Sequence, residues 1–402
     1  MDGIGLGTRI ATYRRRRGLS QAALAGLVGR SESWLSQVER GIRSVDRLSV
    51  LLDLARVLHV EVAALTGRPW RYGPNGSALA GGLADLRRAL MSYSALLGQE
   101  PVGPAELPEL RARVTETHQL YQAARYDDVI MVLPSVLSAV ECFPGRSNGL
   151  RRESLLIYVS AYVAAAKLVT KLGAGDLAIL AADRAANAAV DAESLSARGM
   201  AGYQVACALL RSDQLDDAER IAVELAEALT GSARSDEPSL VSAAGSLWLI
   251  AAVIAARNAD RGEAWQRLDQ AQALAELLGE DGNYAWTGFG PTNVAIHRVS
   301  VAAELGDAGA ALRAAAAVDQ ERLPAGLLSR RAQVNLDLAW AQTQRRRDAE
   351  ATLHLLEAER IAPQVVRHNV IAQEIVREML ARGTHRQTTA LSMLAQRAGL
   401  LE

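Results

Sequence analysis

The 402-residue sequence predicts an all-α protein: a short N-terminal domain of five helices followed by a long helical solenoid. Three observations carry this. Alanine, leucine and arginine dominate, all strong helix formers, and strand-like runs of valine, isoleucine and threonine are missing. Residues 8–67 split into short amphipathic segments punctuated by serine and glycine. From about residue 110, a long amphipathic segment, a polar turn and a second segment with small residues recur.

Composition bounds the function. The formal net charge of −1 hides an asymmetry. Residues 1–70 hold eleven arginines against six acids, a net of +5, so the remainder carries −6. A basic small domain joined to an acidic large one suits a nucleic-acid reader attached to a separate sensor. The only lysines are Lys167 and Lys171, a skew read as a mark of GC-rich coding. Two cysteines, Cys142 and Cys207, support neither a disulfide framework nor a Cys-rich zinc site, and both read as small buried residues. The N-terminus has no apolar signal segment, and the longest apolar run, 247–256, is too short to span a bilayer. The expectation is a cytoplasmic protein with no membrane partner.

Enzyme motifs do not appear. The sequence has no phosphate-binding loop, no His-Glu-x-x-His, no Gly-x-Ser-x-Gly and no clustered histidines, so neither catalysis nor a metal or other cofactor is expected. The acidic pairs Asp127-Asp128 and Asp216-Asp217 fall at helix N-termini, where the helix dipole accounts for them.

The first helix runs from Thr8 to Arg17, with Ile10 and Tyr13 inward. Ser20 caps a second helix carrying Ala23, Leu24 and Leu27, which stops at Gly29. Ser31 caps the third, where Leu35 and Val38 face inward. Glu32, Ser33, Ser36, Gln37 and Arg40 then share one outer face, and Gly41 ends the helix. A fourth helix uses Leu48, Leu51, Leu52, Ala55 and Leu58, and a short fifth spans 62–65. Trp34 reads as a packing residue at the helix edge.

Arg14, Gly18-Leu19-Ser20-Gln21, Leu24-Ala25, Gly29, Ser31 and Glu39-Arg40-Gly41 together resemble the helix-turn-helix of the lambda-repressor and Cro family, also called Xre, over residues 6–68. The resemblance implies that the third helix enters the major groove of double-stranded DNA. Glu32, Ser33 and Gln37 would then read bases, with Ser36 and Arg40 on the same face. Gln21 and Arg43 would hold phosphates, and Arg14 would pair with Glu39 to tie the first helix to the third. It also implies paired half-sites and a homodimer. Glutamine, glutamate and serine are chemically suited to base edges, although Glu32 also repels phosphate and has an alternative role in orienting Gln21 or Arg30.

Residues 69–109 read as a linker, broken by prolines, that contains one helix at 79–97. Residues 110–402 form the solenoid. Its six polar turns centre on Tyr126, Ala174, Leu215, Asp260, Gly306 and Asp348, spaced about 40 to 48 residues apart. Residues 122–126 and 304–307 resemble the tetratricopeptide consensus, and 364–382 with 387–398 read as closing helices. The pairing of a helix-turn-helix with such degenerate repeats, and the stretches 289–297, 319–324 and 357–363, resemble actinobacterial Xre-type regulators. More loosely, the chain resembles the peptide-sensing repeat regulators of Gram-positive bacteria. The resemblance implies a transcriptional regulator whose repeats sense a peptide or small molecule and dimerise. A DNA-tethered adaptor binding a partner protein is the alternative.

The first helix of each hairpin should line a concave face. Asn293 and Asn335 lie on such helices, and their amides suit a peptide backbone. His297 is one turn beyond Asn293. Arg331, Tyr203, Gln204, Trp286 and Phe289 complete the expected ligand set. The aromatic loop 279–290 either folds over the groove or is an ordinary connection with its rings in the core.

Overall fold

The computed structural model describes residues 3–16, 19–43, 45, 48–58, 65, 77–93, 106–141, 151–212, 214–382 and 389–401. The chain divides into two compact units, Met1–Tyr72 and Gly73–Glu402. The described residues contain helices and turns and no strand, so the all-α expectation holds.

The N-terminal unit contains α1 (Gly3–Arg16), α2 (Gln21–Leu27), α3 (Glu32–Glu39) and α4 (Leu48–Leu58). The expected fifth helix lies outside the described residues apart from Leu65, which is buried. The predicted caps form: Ser20 Oγ accepts from the Ala23 amide at 3.0 Å, and Ser31 Oγ accepts from the Trp34 amide at 3.2 Å. Leu6, Ile10, Leu24, Leu35, Leu51, Leu54 and Leu58 make the core, with Trp34 packed at its edge. Gly7 lets α1 press against α3, since a Cβ there would sit 2.1 Å from the Val38 carbonyl oxygen.

The larger unit begins with α5 (Ser77–Leu90). The sequence places this helix in a linker, yet it packs on α7 with Leu86 and Leu90 fully buried, α7 being Tyr126–Glu141. Six helical hairpins follow among the described residues. They are α6 (Leu107–Gln122) with α7, α8 (Arg151–Lys171) with α9 (Gly175–Asp191), and α10 (Leu195–Arg211) with α11 (Leu215–Thr230). Then come α12 (Pro238–Arg257) with α13 (Arg261–Leu278), α14 (Pro291–Glu304) with α15 (Ala308–Ala316), and α16 (Leu328–Gln344) with α17 (Asp348–Ile361). The stack ends with α18 (Pro363–His368), α19 (Val370–Arg382) and α20 (Thr389–Arg397).

One local device joins each pair. Within every hairpin an amide bonds the carbonyl five residues back: Arg125 to Leu120, Ala174 to Val169, Gln214 to Leu209, Asp260 to Ala255, Asp307 to Ala302 and Arg347 to Gln342. This is the Schellman end of a helix, which satisfies the last carbonyls and reverses the chain. The preceding residue is left-handed in Ala124, Gly173, Ala259, Gly306 and Arg346. Each of these stands two residues before the next helix. Five of the recurring polar turns are therefore one conformation, built even where no glycine is available.

The stack closes on itself. Residues of α5 to α10 share one core with residues of α16, α17, α19 and α20. At the closure the Asp127 amide donates to Gln364 Oε1 at 2.9 Å, His368 Nε2 lies 3.3 Å from Asp127 Oδ1, and the Tyr126 ring meets the His368 ring edge-on. Among the described residues, α8 and α12 are long and apolar enough to cross a bilayer, but 72% and 89% of those stretches are buried inside the protein. Helix α12 exceeds the uninterrupted apolar run because Ser242, Gly245 and Ser246 extend its buried surface.

Candidate functional site

Two places carry chemistry, one in each unit. In the N-terminal unit α3 presents Glu32 and Ser33 fully exposed and Ser36 and Gln37 half-buried, with Arg40 and Arg43 exposed at its end. The Arg40 guanidinium donates to the Ser36 carbonyl at 3.2 Å. Behind this face, Arg14 grips Glu39 bidentately: Nε to Oε1 at 2.6 Å and Nη2 to Oε2 at 2.8 Å. Arg14 Nη1 also donates to the Leu19 carbonyl at 2.9 Å. Gln21, expected to hold a phosphate, instead donates to Glu39 Oε2 at 2.7 Å. One of its two amide N–H donors is thus spent on joining α2 to α3.

In the larger unit, α6, α8, α10, α12, α14 and α16 surround a cavity of about 290 Å³. These are the first helices of the six hairpins, and closure of the stack converts their concave face into a partly open chamber. That volume is near the lower edge of small-ligand pockets, roughly 300 to 1,000 Å³.

Helix geometry decides which candidates reach the cavity. On α14, Asn293, His297, Ser300 and Glu304 form one stripe and all line it. Asn293 is 1% exposed, and its Oδ1 has no hydrogen-bond partner. Burial, with Arg330 nearby, pushes the His297 imidazole down to about 3, so it is neutral. Its Nδ1 lies 2.9 Å from the Asn293 carbonyl. Tyr203, Gln204 and Trp286 also line the cavity.

Asn335, Arg331 and Phe289 do not line it, and the structure corrects these three. On α16 the lining stripe is Arg330, Gln333, Asp337 and Trp340. Asn335 lies two residues past Gln333, about 200° around the helix. It faces α17, with Oδ1 3.3 Å from His354 Nδ1. Arg331 is one residue past the stripe and donates to the Leu323 carbonyl at 2.9 Å. Phe289 is fully buried against Gly245, where any Cβ would meet its ring at 2.0 Å.

Loop 279–290 resolves into both readings at once. Phe289 anchors one end in the core, while residues 285–288 line the cavity. Ala285 and Trp286 are both left-handed, at φ 51° and 57°, a strained pair for residues with side chains. The Trp286 carbonyl accepts from Lys167 Nζ at 2.7 Å, and its ring stacks on His118 with centroids 4.7 Å apart. Gln122 and Asn283 exchange two amide hydrogen bonds at 2.7 and 2.8 Å. The loop is therefore a strap from the fourth hairpin to the first and second.

Sequence reading passed over the charged lining. Lys167, Lys171, Arg211, Arg257 and Arg330 face two acids, Glu304 and Asp337. Glu304 pairs with Arg257 at 3.2 Å. Asp337 accepts from Ser300 and from Gln333, the latter at 2.8 Å, and burial pushes its carboxyl up to about 6. Burial, with Arg330 nearby, lowers Lys167 to about 7, and burial with Arg211 and Arg330 lowers Lys171 to about 8. The available signal was the spacing of the two lysines, i and i+4, in a chain otherwise built with arginine. Cys207 lines the same cavity, its thiol pushed up to about 11 by burial, while Cys142 lies outside the described residues. Among the described residues no cluster of His, Cys, Asp and Glu could hold a metal ion.

Residues 6–66 match the helix-turn-helix domain family. The chain carries an N-terminal helix-turn-helix DNA-binding domain. That match and the stack of hairpins establish its architecture as a helix-turn-helix followed by a helical repeat domain. No curated protein matches the chain. Among the solved structures that align over nearly its full length at low identity are the following two. One is Bacillus thuringiensis PlcR in complex with the peptide PapR7 and DNA: 11% identity, 96% of this chain and 100% of that one, TM-score 0.29. The other is ComR from S. thermophilus in complex with DNA and its signalling peptide ComS: 12% identity, 94% and 99% coverage, TM-score 0.31. At such scores the repeat architecture rests on the geometry above.

Proposed function

We propose that this chain is a sequence-specific transcriptional regulator whose repeat domain senses a small molecule or short peptide and mediates homodimerisation. The observation that carries the reading is the coexistence of a helix-turn-helix domain with a cavity lined by all six hairpins in the second unit. Glu32, Ser33 and Gln37 are the proposed base readers, and Arg40 and Arg43 the proposed phosphate contacts. Glu32, Ser33, Arg40 and Arg43 are exposed and Gln37 half-exposed on and just after α3, which suits a helix laid in the major groove. The adaptor alternative calls for an open, highly charged concave face. The lining here is charged, but its polar groups converge on one cavity bounded by the first helices of all six hairpins, which favours a bound ligand. A ligand in the chamber touches six hairpins at once, so it has differential contacts with any two arrangements of the stack.

The test uses sites selected from random duplex DNA. Gln37→Ala should weaken binding by about 1–3 kcal/mol at one base position and leave random duplex binding unchanged. Equal weakening on both would remove Gln37 from base reading. Cell extract fractions that shift operator affinity in the parent should lose their effect in Asn293→Ala. A full response in that variant would rule out the chamber as the sensor.

A further inference from the structure

The chamber has a charge imbalance that its own residues do not resolve. Five cations line it against two acids, and both acids are already engaged. Arg257 is matched by Glu304, and Lys167 donates to a neutral carbonyl, that of Trp286. The Lys171, Arg211 and Arg330 side chains make no hydrogen bond or ion pair with the described residues. Lys171 and Arg330 are half-buried and Arg211 is more exposed. A half-buried charge with no partner beside apolar walls is costly, and folding sequences normally remove it. Here they come from three helices: α8 and α10, which pack directly on each other, and α16, which closure of the stack brings to them. Both of the chain's lysines line the chamber, and Lys171 is in this set.

We propose that the chamber binds a small organic anion, with Lys171, Arg211 and Arg330 as its charge-binding subsite and Lys167 as a donor shared with the strap. The proposal deepens the sensing role given above and rests on it. The bound group is a carboxylate or a phosphate, the acceptors that guanidinium and ammonium donors match in geometry and charge. Aromatic and apolar walls from Tyr121, Tyr203 and Trp340 receive the remainder of the molecule. An acceptor that approaches Lys167 competes with the Trp286 carbonyl, so binding loosens the strained turn at Ala285 and Trp286.

The test is thermal melting of the full chain without DNA. Citrate and inorganic pyrophosphate serve as carboxylate and phosphate probes, against sodium chloride at equal ionic strength. At least one probe should give a saturable rise of about 2–5 °C. Lys171→Met with Arg330→Met keeps the aliphatic stems and should abolish the rise, while Arg234→Met, at an exposed cation, should keep it. Each single cavity substitution should also raise the melting temperature of the probe-free protein, because it removes an unpaired charge. The proposal is overturned if neither probe gives a saturable rise, if the double variant keeps it, or if both single variants melt below the parent. Triglycine as free acid against its amide separates the sources. Selective stabilisation by the acid assigns the anion to a peptide terminus, and none assigns it to a non-peptide acid. Because no DNA is present, failure here leaves the sensing role standing for a neutral ligand. Anion binding that leaves operator affinity unmoved would sink the sensing role alone.

Discussion

The two units bury charge in opposite ways. In the helix-turn-helix, the buried Glu39 carboxylate receives Arg14 and Gln21, so its charge is matched in place. In the chamber, three cations from three helices face space. The first arrangement holds a small domain together. The second spends stability on a place for something else, and this difference separates structural charge from site charge in one chain.

The sharpest way to break the comparison is to unpair the paired unit. Arg14→Ala leaves Glu39, whose side chain is 6% exposed, buried without its cation. The N-terminal domain should lose about 3–5 kcal/mol and specific DNA binding with it, while the repeat transition stays put. Calorimetry that resolves both transitions checks this, and an unchanged first transition would show the pair to be dispensable.

The strap comes next. Phe289→Ala opens a void against Gly245 and should cost the repeat domain about 3 kcal/mol. Urea unfolding followed by circular dichroism measures it. A loss below about 1 kcal/mol would mean the site collapses to fill the void, and that Phe289 is no anchor.

The pH response should separate the units by sign. Burial pushes the Glu39 carboxyl up, but the bonds from Arg14 and Gln21 outweigh it and hold it below 4.5. Its stabilisation is present above about pH 4.5 and is lost as pH falls through the folded value. Lys167 titrates at about 7 in the folded chamber, against an ordinary 10.5. Between those values the unfolded chain holds a proton that the folded chain has released, so repeat stability rises with pH. Lys171 adds to the same trend from about 8. Melting curves across pH 7 to 10.5 check the sign, and a falling repeat transition would contradict the desolvated lysines.

The smallest effect belongs to the hairpin turns. Ala259 is left-handed at φ 59°. Ala259→Gly should stabilise the repeat domain by about 0.5–1 kcal/mol, relief of backbone strain less the added flexibility of the unfolded chain. Urea titration reads this directly.

Much of this molecule was legible in the sequence. The helices, both serine caps, the six turns and the Arg14–Glu39 pair all rest on contacts within a few residues or on motif positions in fixed register. The i and i+4 spacing likewise put Asn293 and His297 on the cavity stripe. Asn335, Arg331 and Phe289 failed because placing a residue on a lining helix does not fix its angle around that helix, and 100° per residue separates a wall from a core. Closure of the stack was not legible at all. It depends on small rotations between hairpins that accumulate over more than two hundred residues, until Asp127 meets Gln364. Only that closure brings α16 to α8 and α10 around one chamber and adds Arg330 to the two rare lysines and Arg211. Sequence periodicity determined what the elements are. Tertiary structure decided which of their faces meet, because no local pattern records the sum of the angles between them.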